Sequence, residues 1–434
     1  MSNVPESPAA PVGAAAPASG RGIYRGWGMV LIGFLCIAFA SSAPPAALPL
    51  IYPEVMKEFG WGATAATSIY FWKQISSALL ALFIVGPMIE KLGLRATMVF
   101  LCVCTALGMM TFLFVDSQWS YNLSGFLFGM GGTTILVPVK VLVSRWFNRN
   151  QGLAVGVVML GMSTGGVVVP LVGTALIQEF GWRVAFASLS LGIWLVALPL
   201  YLWKANDQPS EEDLIREAMG KTADPSAIQR LRAAELDTTY GAILRTPMFW
   251  AIAVGLFMVG MIDTGMLQHT ILYMRSEAHL SPAVAAATLS GTFAIGIAAK
   301  LIAGKAYDIW SVRGIQFWYA MLGVSILSVF LVSDLKSAIV FTVFRGLAHG
   351  GLVSEMAVMA KHCYGPRYMN RTFPVMTGLY GLGASVGPLF LAMIHDEFQS
   401  YAYGFIMFAS MAFMAAALLF FVRPLYRERL QALG

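Results

Sequence analysis

Gly86–Arg95 reads GPMIEKLGLR, and Gly304–Arg313 reads GKAYDIWSVR. Each stretch lies between two apolar segments, opens on Gly, carries an acid four residues later and closes on Arg. They are 218 residues apart, and the same offset recurs along the chain. Arg149 falls opposite Arg367, Gly165 opposite Gly383, and Pro170 opposite Pro388. Glu179-Phe180 falls opposite Glu397-Phe398. Matches at one period, placed in equivalent connections and segments, mark a duplicated unit. In a membrane chain such parallel repeats are related by an axis along the membrane normal.

Composition says that the solvent is lipid. Of 434 residues, 58% are hydrophobic and 12% charged, against about 45–50% and about 25% in ordinary soluble domains. This excludes a disordered chain, a nucleic-acid module and most soluble enzymes. The long polar stretches are 1–24, 204–246 and 424–434. The remainder divides by twelve into about 30 residues each, enough for an apolar span of about 20 and a short connection. The expected fold is an all-α membrane protein of twelve transmembrane helices in two six-helix pseudo-repeats. The first bundle covers 25–203 and the second 247–423.

An even number of spans puts both ends on one side. Lys and Arg then decide which side, because cytoplasmic loops collect them. With the termini inside, the inner connections and span ends hold 20 of the 28 bases. The opposite face holds Lys57, Arg183, Arg275 and Lys336, and four bases lie within spans. Both termini are therefore expected in the cytoplasm, and the net charge of +6 reflects membrane orientation rather than a nucleic-acid partner. Residues 1–24, rich in Pro, Ala, Ser and Gly, read as a disordered cytoplasmic tail without the apolar core of a signal peptide. Within 204–246, EEDLIREAM and SAIQRLRAAEL have the helical spacing of amphipathic helices on the cytoplasmic surface. Residues 424–434 read as a second cytoplasmic tail. Cys36, Cys102, Cys104 and Cys363 are scattered and suggest neither a disulfide framework nor a metal site. There is no phosphate loop and no nucleophile–base constellation, so neither an ATP-driven pump nor an enzyme is expected, and no cofactor.

The two loop stretches resemble the cytoplasmic loop motif of the major facilitator superfamily, in which Gly, an acid, bases and a second Gly recur. Gly86, Glu90, Lys91 and Arg95 match in the first copy, with Glu for the usual Asp and Leu94 where a base is usual. Gly304, Asp308 and Arg313 match in the second. Gly lets helix ends approach, and the acid and bases are expected to latch neighbouring ends. LRTPMFW (Leu244–Trp250) and SRWFNRNQGLAVG (Ser144–Gly156) narrow the resemblance to the monocarboxylate transporter and oxalate/formate antiporter group. The resemblance implies a secondary transporter of a small organic anion, functional as a monomer, with protons and membrane lipid as its other partners. The lean loops and absence of a signal suggest a bacterial inner membrane, with a eukaryotic plasma membrane as the alternative.

Charge at bilayer depth costs about 2.5–3.5 kcal/mol per residue even on the cheaper scale, and survives where it faces a cavity or partner. Such residues are Lys73, Lys140, Asp263, His269, Lys300, Arg345, His349 and Glu355. Lys300 lies one turn before Gly304, where the resembling group places a substrate-binding Arg. It is read as the substrate cation, or else as a helix-end Lys reaching the headgroups. Arg345 and His349 share a face of the tenth span and are read as a second substrate contact, or as a structural pair with Asp263. Lys73 is either paired or facing the cavity, and Lys140 is within snorkelling reach of the interface. Tyr380 offers a hydroxyl to substrate. Asp263, His269 and Glu355 are the candidates for proton coupling, with a packing role open for His269.

Two departures matter. Gly296 stands where monocarboxylate transporters have an acid, and Ala46 lies in the region of their first-span Lys. Tyr380 stands where the oxalate/formate antiporter has a second cation. These favour a monoanion, or a dianion held by Lys73 or Arg345. Alternatives are an anion exchanger, an aromatic acid transporter, or a membrane sensor that has lost transport. TGLYGLGASVGP in the eleventh span and GVVMLGMSTGGVVVP in the fifth predict close helix contacts, with kinks at Pro388 and Pro170.

Overall fold

The computed structural model describes residues 24–147, 151–206, 208–209, 238–352 and 355–432. The expected tail 1–24, apart from Tyr24, and the two amphipathic helices of the linker lie outside these residues. Among the described residues there is no strand.

Among the described residues, ten helices are long and apolar enough to cross a membrane. They include α1 (Gly26–Phe59), α3 (Pro87–Phe114), α4 (Gln118–Val143), α7 (Pro247–Ser276), α8 (Pro282–Trp310), α9 (Val312–Leu331) and α12 (Ala402–Phe421). α10 runs in two parts, Leu335–Gly351 and Glu355–Tyr364, and α11 is Pro366–Phe398. The tenth is Ala154–Ser188, and two further helices complete the twelve. α2 (Ala63–Phe83) is diluted by Thr64, Thr67, Ser68, Lys73, Gln74, Ser76 and Ser77. The helix Gln151–Ser188 is broken at Gly181 (φ 77°, ψ 162°). The part before that break is α5. The part after it continues through a turn into Ile193–Lys204 and forms α6. A last helix, α13 (Leu425–Ala432), follows α12.

The backbone repeats with the period seen in the sequence. Gly93 (φ 84°) and Ser311 (φ 53°) break the chain at equivalent places, as do Gly181 (φ 77°) and Gln399 (φ 53°). Left-handed backbone suits Gly, so Ser311 and Gln399 hold a conformation set by the repeat rather than by their own preference. α4 and α10 open with the same cap. The Ser117 and Asp334 side chains accept the amides of Ser120 and Ser337, whose hydroxyls in turn accept the cap amides. Both helices are interrupted midway, at Gly132 (ψ −98°) and after Gly351.

Glycines set the helix contacts. A Cβ on Gly383 would lie 2.0 Å from the Phe257 carbonyl oxygen, and one on Gly387 would lie 2.0 Å from that of Met261. α11 therefore lies directly on α7. The equivalent Gly165 brings α5 onto α1, 2.8 Å from the Ala38 oxygen by the same measure. α1 itself relaxes into a π-helical stretch at Ile37–Ser42. The amide-free Pro44 and Pro45 follow it, and a prolyl residue leaves carbonyls one turn back without a donor.

The halves meet along α1–α7, α2–α11 and α5–α8. On the face opposite the termini, the Asp396 carboxylate accepts the Ala63 and Thr64 amides at 2.8 Å each, capping α2 from α11. Tyr52 donates to Gln268 at 2.7 Å, and Gln268 donates to the Pro45 carbonyl at 3.3 Å. Arg275 pairs with Glu54 at 2.8 Å. That face is closed.

Candidate substrate and proton site

Asp263 on α7 is 3% exposed and is the centre of the buried charge. Arg345 of α10 donates to its carboxylate at 2.6 Å and to its backbone carbonyl at 2.9 Å. His349, one turn further on, lies 3.1 Å from both carboxylate oxygens through Nδ1. Tyr380 of α11 donates to the same carboxylate at 3.3 Å. The spacing of four that put Arg345 and His349 on one face thus aims both at one acid. The structural pair left open in the sequence describes Arg345: it is fully buried against Asp263. Its Nε and Nη1 have no partner among the described residues.

Lys300 is placed differently. It is half-buried on α8, and its ammonium donates to the Ser163 hydroxyl of α5. No carboxylate lies within ion-pair distance of it among the described residues, although the charge of Asp263 reaches it. Two turns away on α8, Phe293 meets the His349 ring edge-on at 5.2 Å. A Cβ on Gly166 of α5 would overlap the Phe293 ring at 2.5 Å. Lys300, Ser163, Phe293 and Gly166 thus form one contact between the halves. Gly296, where the resembling group has an acid, faces His349: a Cβ there would lie 3.5 Å from its ring. The acid beside that histidine comes from α7 instead.

Lys73 of α2 is 2% exposed. It donates to Gln74 at 2.5 Å and Thr133 at 3.0 Å, and lies over the Tyr70 ring at 5.1 Å. Tyr70 reaches Thr264, next to Asp263. Lys140 is exposed, as a snorkelling side chain is. His269 is buried with both ring nitrogens engaged, Nε2 with the Pro388 carbonyl at 2.8 Å and Nδ1 with the Tyr401 hydroxyl at 3.0 Å. A carbonyl only accepts, so Nε2 carries the hydrogen and Nδ1 accepts from Tyr401. This is the packing arrangement the sequence left open. Glu355 is fully buried and away from the Asp263 cluster, with neither carboxylate oxygen partnered among the described residues.

The loop stretches latch through carbonyls. Arg95 donates to the Leu202 carbonyl at the end of α6. Arg427 of α13 donates to the carbonyls of Tyr307, Asp308 and Ile309 at the end of α8, at 2.5–3.2 Å. Arg313 bonds Gln316 and lies 5.3 Å from the Phe420 ring. Glu90, Lys91 and Asp308 are exposed, and neither acid makes an ion pair among the described residues. Free helix-end carbonyls and the negative end of the helix dipole give Arg an acceptor that no acid motif announces. The sequence reading also missed Ser163, Phe293, Gln268 and Asp396. Neutral residues on apolar helices carry no sequence mark of function. Asp396 was hidden beside the repeated Glu397-Phe398.

Two six-helix halves, closed on one face and holding buried charge between them, define a membrane transport protein. The family model of the Major Facilitator Superfamily matches residues 30–333 and 270–433, and the chain belongs to that superfamily. It is a transporter and not an enzyme. It is 26% identical over 396 residues to monocarboxylate transporter 4 of Mus musculus, covering 88% of this chain and 80% of the relative. Monocarboxylate transporter 4 of Gallus gallus is 25% identical over 393 residues, covering 88% and 79%. Among solved structures, a bacterial homologue of the human lysosomal transporter Spinster, inward-facing and occupied, superposes with a TM-score of 0.67 at 16% identity. That match covers 93% of this chain and 97% of the other.

Proposed function

We propose that this protein moves a small organic anion, a monocarboxylate first of all, across a membrane by alternating access, coupled to a proton. Lys300 carries the reading: it is an interior cation on the seam between the halves whose hydrogen-bond partner among the described residues is a hydroxyl. Arg345 and His349 are committed to Asp263, so their part is to hold the site's shape and field, with Tyr380 as the hydroxyl nearest the path. A carboxylate arriving at Lys300 displaces Ser163. Substrate binding and the loosening of a contact between the halves are then one event. Lys73, hydrogen-bonded and without an acid partner among the described residues, is the second cation available to an anion.

The polar ties on the face opposite the termini fit a state that opens toward the termini. We place the termini in the cytoplasm on the 20-to-4 division of bases, with 25–203 and 247–423 as the rocking units, 204–246 as their linker, a monomer as the working form, and a bacterial inner membrane as the location. Exchange of one acid for another uses the same site and is the second reading, since Lys300 serves either cycle.

The test is uptake of labelled lactate, pyruvate and benzoate into proteoliposomes. Lys300→Ala removes one charge-assisted contact worth about 1.5–3 kcal/mol, so uptake falls by about tenfold to a hundredfold. Native rates in that variant would refute the assignment. Uptake indifferent to an imposed pH gradient but dependent on internal substrate would establish exchange.

A further inference from the structure

The break in α10 separates Leu335–Gly351 from Glu355–Tyr364, and Glu355 opens the second part. Its side chain is fully buried, and neither oxygen has a hydrogen-bond partner among the described residues. An ionised carboxylate in a dry interior without a partner is costly enough that the group neutralises instead. The duplicated half does not need an acid here: α4 is interrupted at the equivalent level, and the residue 218 positions earlier is Val137.

The surroundings point the same way. From α9, Tyr319 is buried with its hydroxyl unpartnered among the described residues, and it lies within electrostatic range of Glu355. From α8, Tyr307 lies within that range too, while its hydroxyl donates to the Gly351 carbonyl at 2.5 Å. From α7 the nearest charge is Asp263, and from α11 the titratable group within reach is Tyr380. On α10 itself, Arg345 and His349 face Asp263, and Lys361 and His362 lie about two turns further on. His362 bonds Ser311 at 2.8 Å. On α13, which packs against the far end of the same helix, Glu428 pairs with Arg423 at 2.7 Å. No cation faces the Glu355 carboxyl among these described groups.

Of the three candidate proton groups, Asp263 is ion-paired with Arg345 and in contact with His349, and His269 has both nitrogens committed. We propose that Glu355 is the residue that carries the coupled proton, neutral in this conformation and ionised once water reaches it. In the release step the carboxyl O–H bond breaks, and the proton passes to water entering from the face that bears the termini. This rests on the coupled-transport reading above and names where its proton resides.

The experiment combines infrared difference spectroscopy with transport, on the full chain in proteoliposomes. Native protein at neutral pH should show a protonated carboxyl band that Glu355→Gln abolishes. The same variant, a fixed neutral mimic, should keep lactate–lactate exchange within a factor of about two and lose acid-driven net uptake by about tenfold or more. A carboxyl band unchanged by Glu355→Gln overturns the proposal, as does undiminished acid-driven uptake. If lactate, pyruvate and benzoate all fail to move in native protein while the band behaves as stated, the substrate reading fails and the proton assignment stands. Should Glu355→Gln not purify as a folded protein, Glu355→Asp replaces it. That variant carries the carboxyl on a shorter side chain and must shift the band, and an unmoved band also overturns the proposal.

Discussion

Removing either partner of the Asp263–Arg345 pair should damage the fold far more than removing both. The guanidinium is fully buried and already leaves two nitrogens unpartnered among the described residues. Its contact with Asp263 at 2.6 Å is the compensation for burying it. Two charges about 4 Å apart attract by about 4 kcal/mol at an effective dielectric near 20. Breaking a buried pair by truncating one partner costs about 3–5 kcal/mol, because the other charge is stranded. Asp263→Ala and Arg345→Ala should each lose stability of that order. Asp263→Leu with Arg345→Met, which strands neither charge, should be more stable than either single, recovering more than about 3–5 kcal/mol relative to their sum. The measurement is reversible unfolding in mixed bicelles and detergent, run as a double-mutant cycle. Single variants within about 1 kcal/mol of native, or a cycle that adds without coupling, would refute the claim that this pair holds α7 and α10 together. Buried hydrogen bonds between membrane helices average only about 0.6 kcal/mol, so the expected coupling is diagnostic of charge.

Other outcomes follow from the same geometry. Gly383→Leu drives a side chain into the Phe257 carbonyl, so α11 must leave α7, and the thermal midpoint should fall by the equivalent of about 1–3 kcal/mol or more. An unchanged midpoint would mean that the helices do not approach this closely. Asp396→Ala uncaps α2 on the closed face, and should raise the labelling rate of a cysteine placed at Thr64 by a membrane-impermeant reagent. Ser117→Ala should cost about 1 kcal/mol as the loss of a helix cap, measurable in the same unfolding assay.

The sequence by itself determined the number of spans, their pairing into two repeats and the faces that glycines would bring together. Those properties are periodic. A span is a run of one composition, a repeat is an offset, and the close approach of Gly383 or Gly165 follows from a missing Cβ wherever that residue sits in a helix. It also supplied the roster of buried charges, because ionisable residues at bilayer depth are rare enough to be seen one by one. What each charge does was decided only in three dimensions. Arg345 and Asp263 are 82 residues apart, and Lys300 and Ser163 are 137 apart. Nothing local fixes which cation meets an acid and which meets a hydroxyl. Partner choice depends on how three or four helices rotate against one another, and that rotation is set by packing summed over whole helices rather than by any residue in the pair. The tertiary structure therefore committed Arg345 and His349 to Asp263 and satisfied His269 through Tyr401 and the Pro388 carbonyl. It left Lys300 with a hydroxyl and Glu355 with no partner among the described residues.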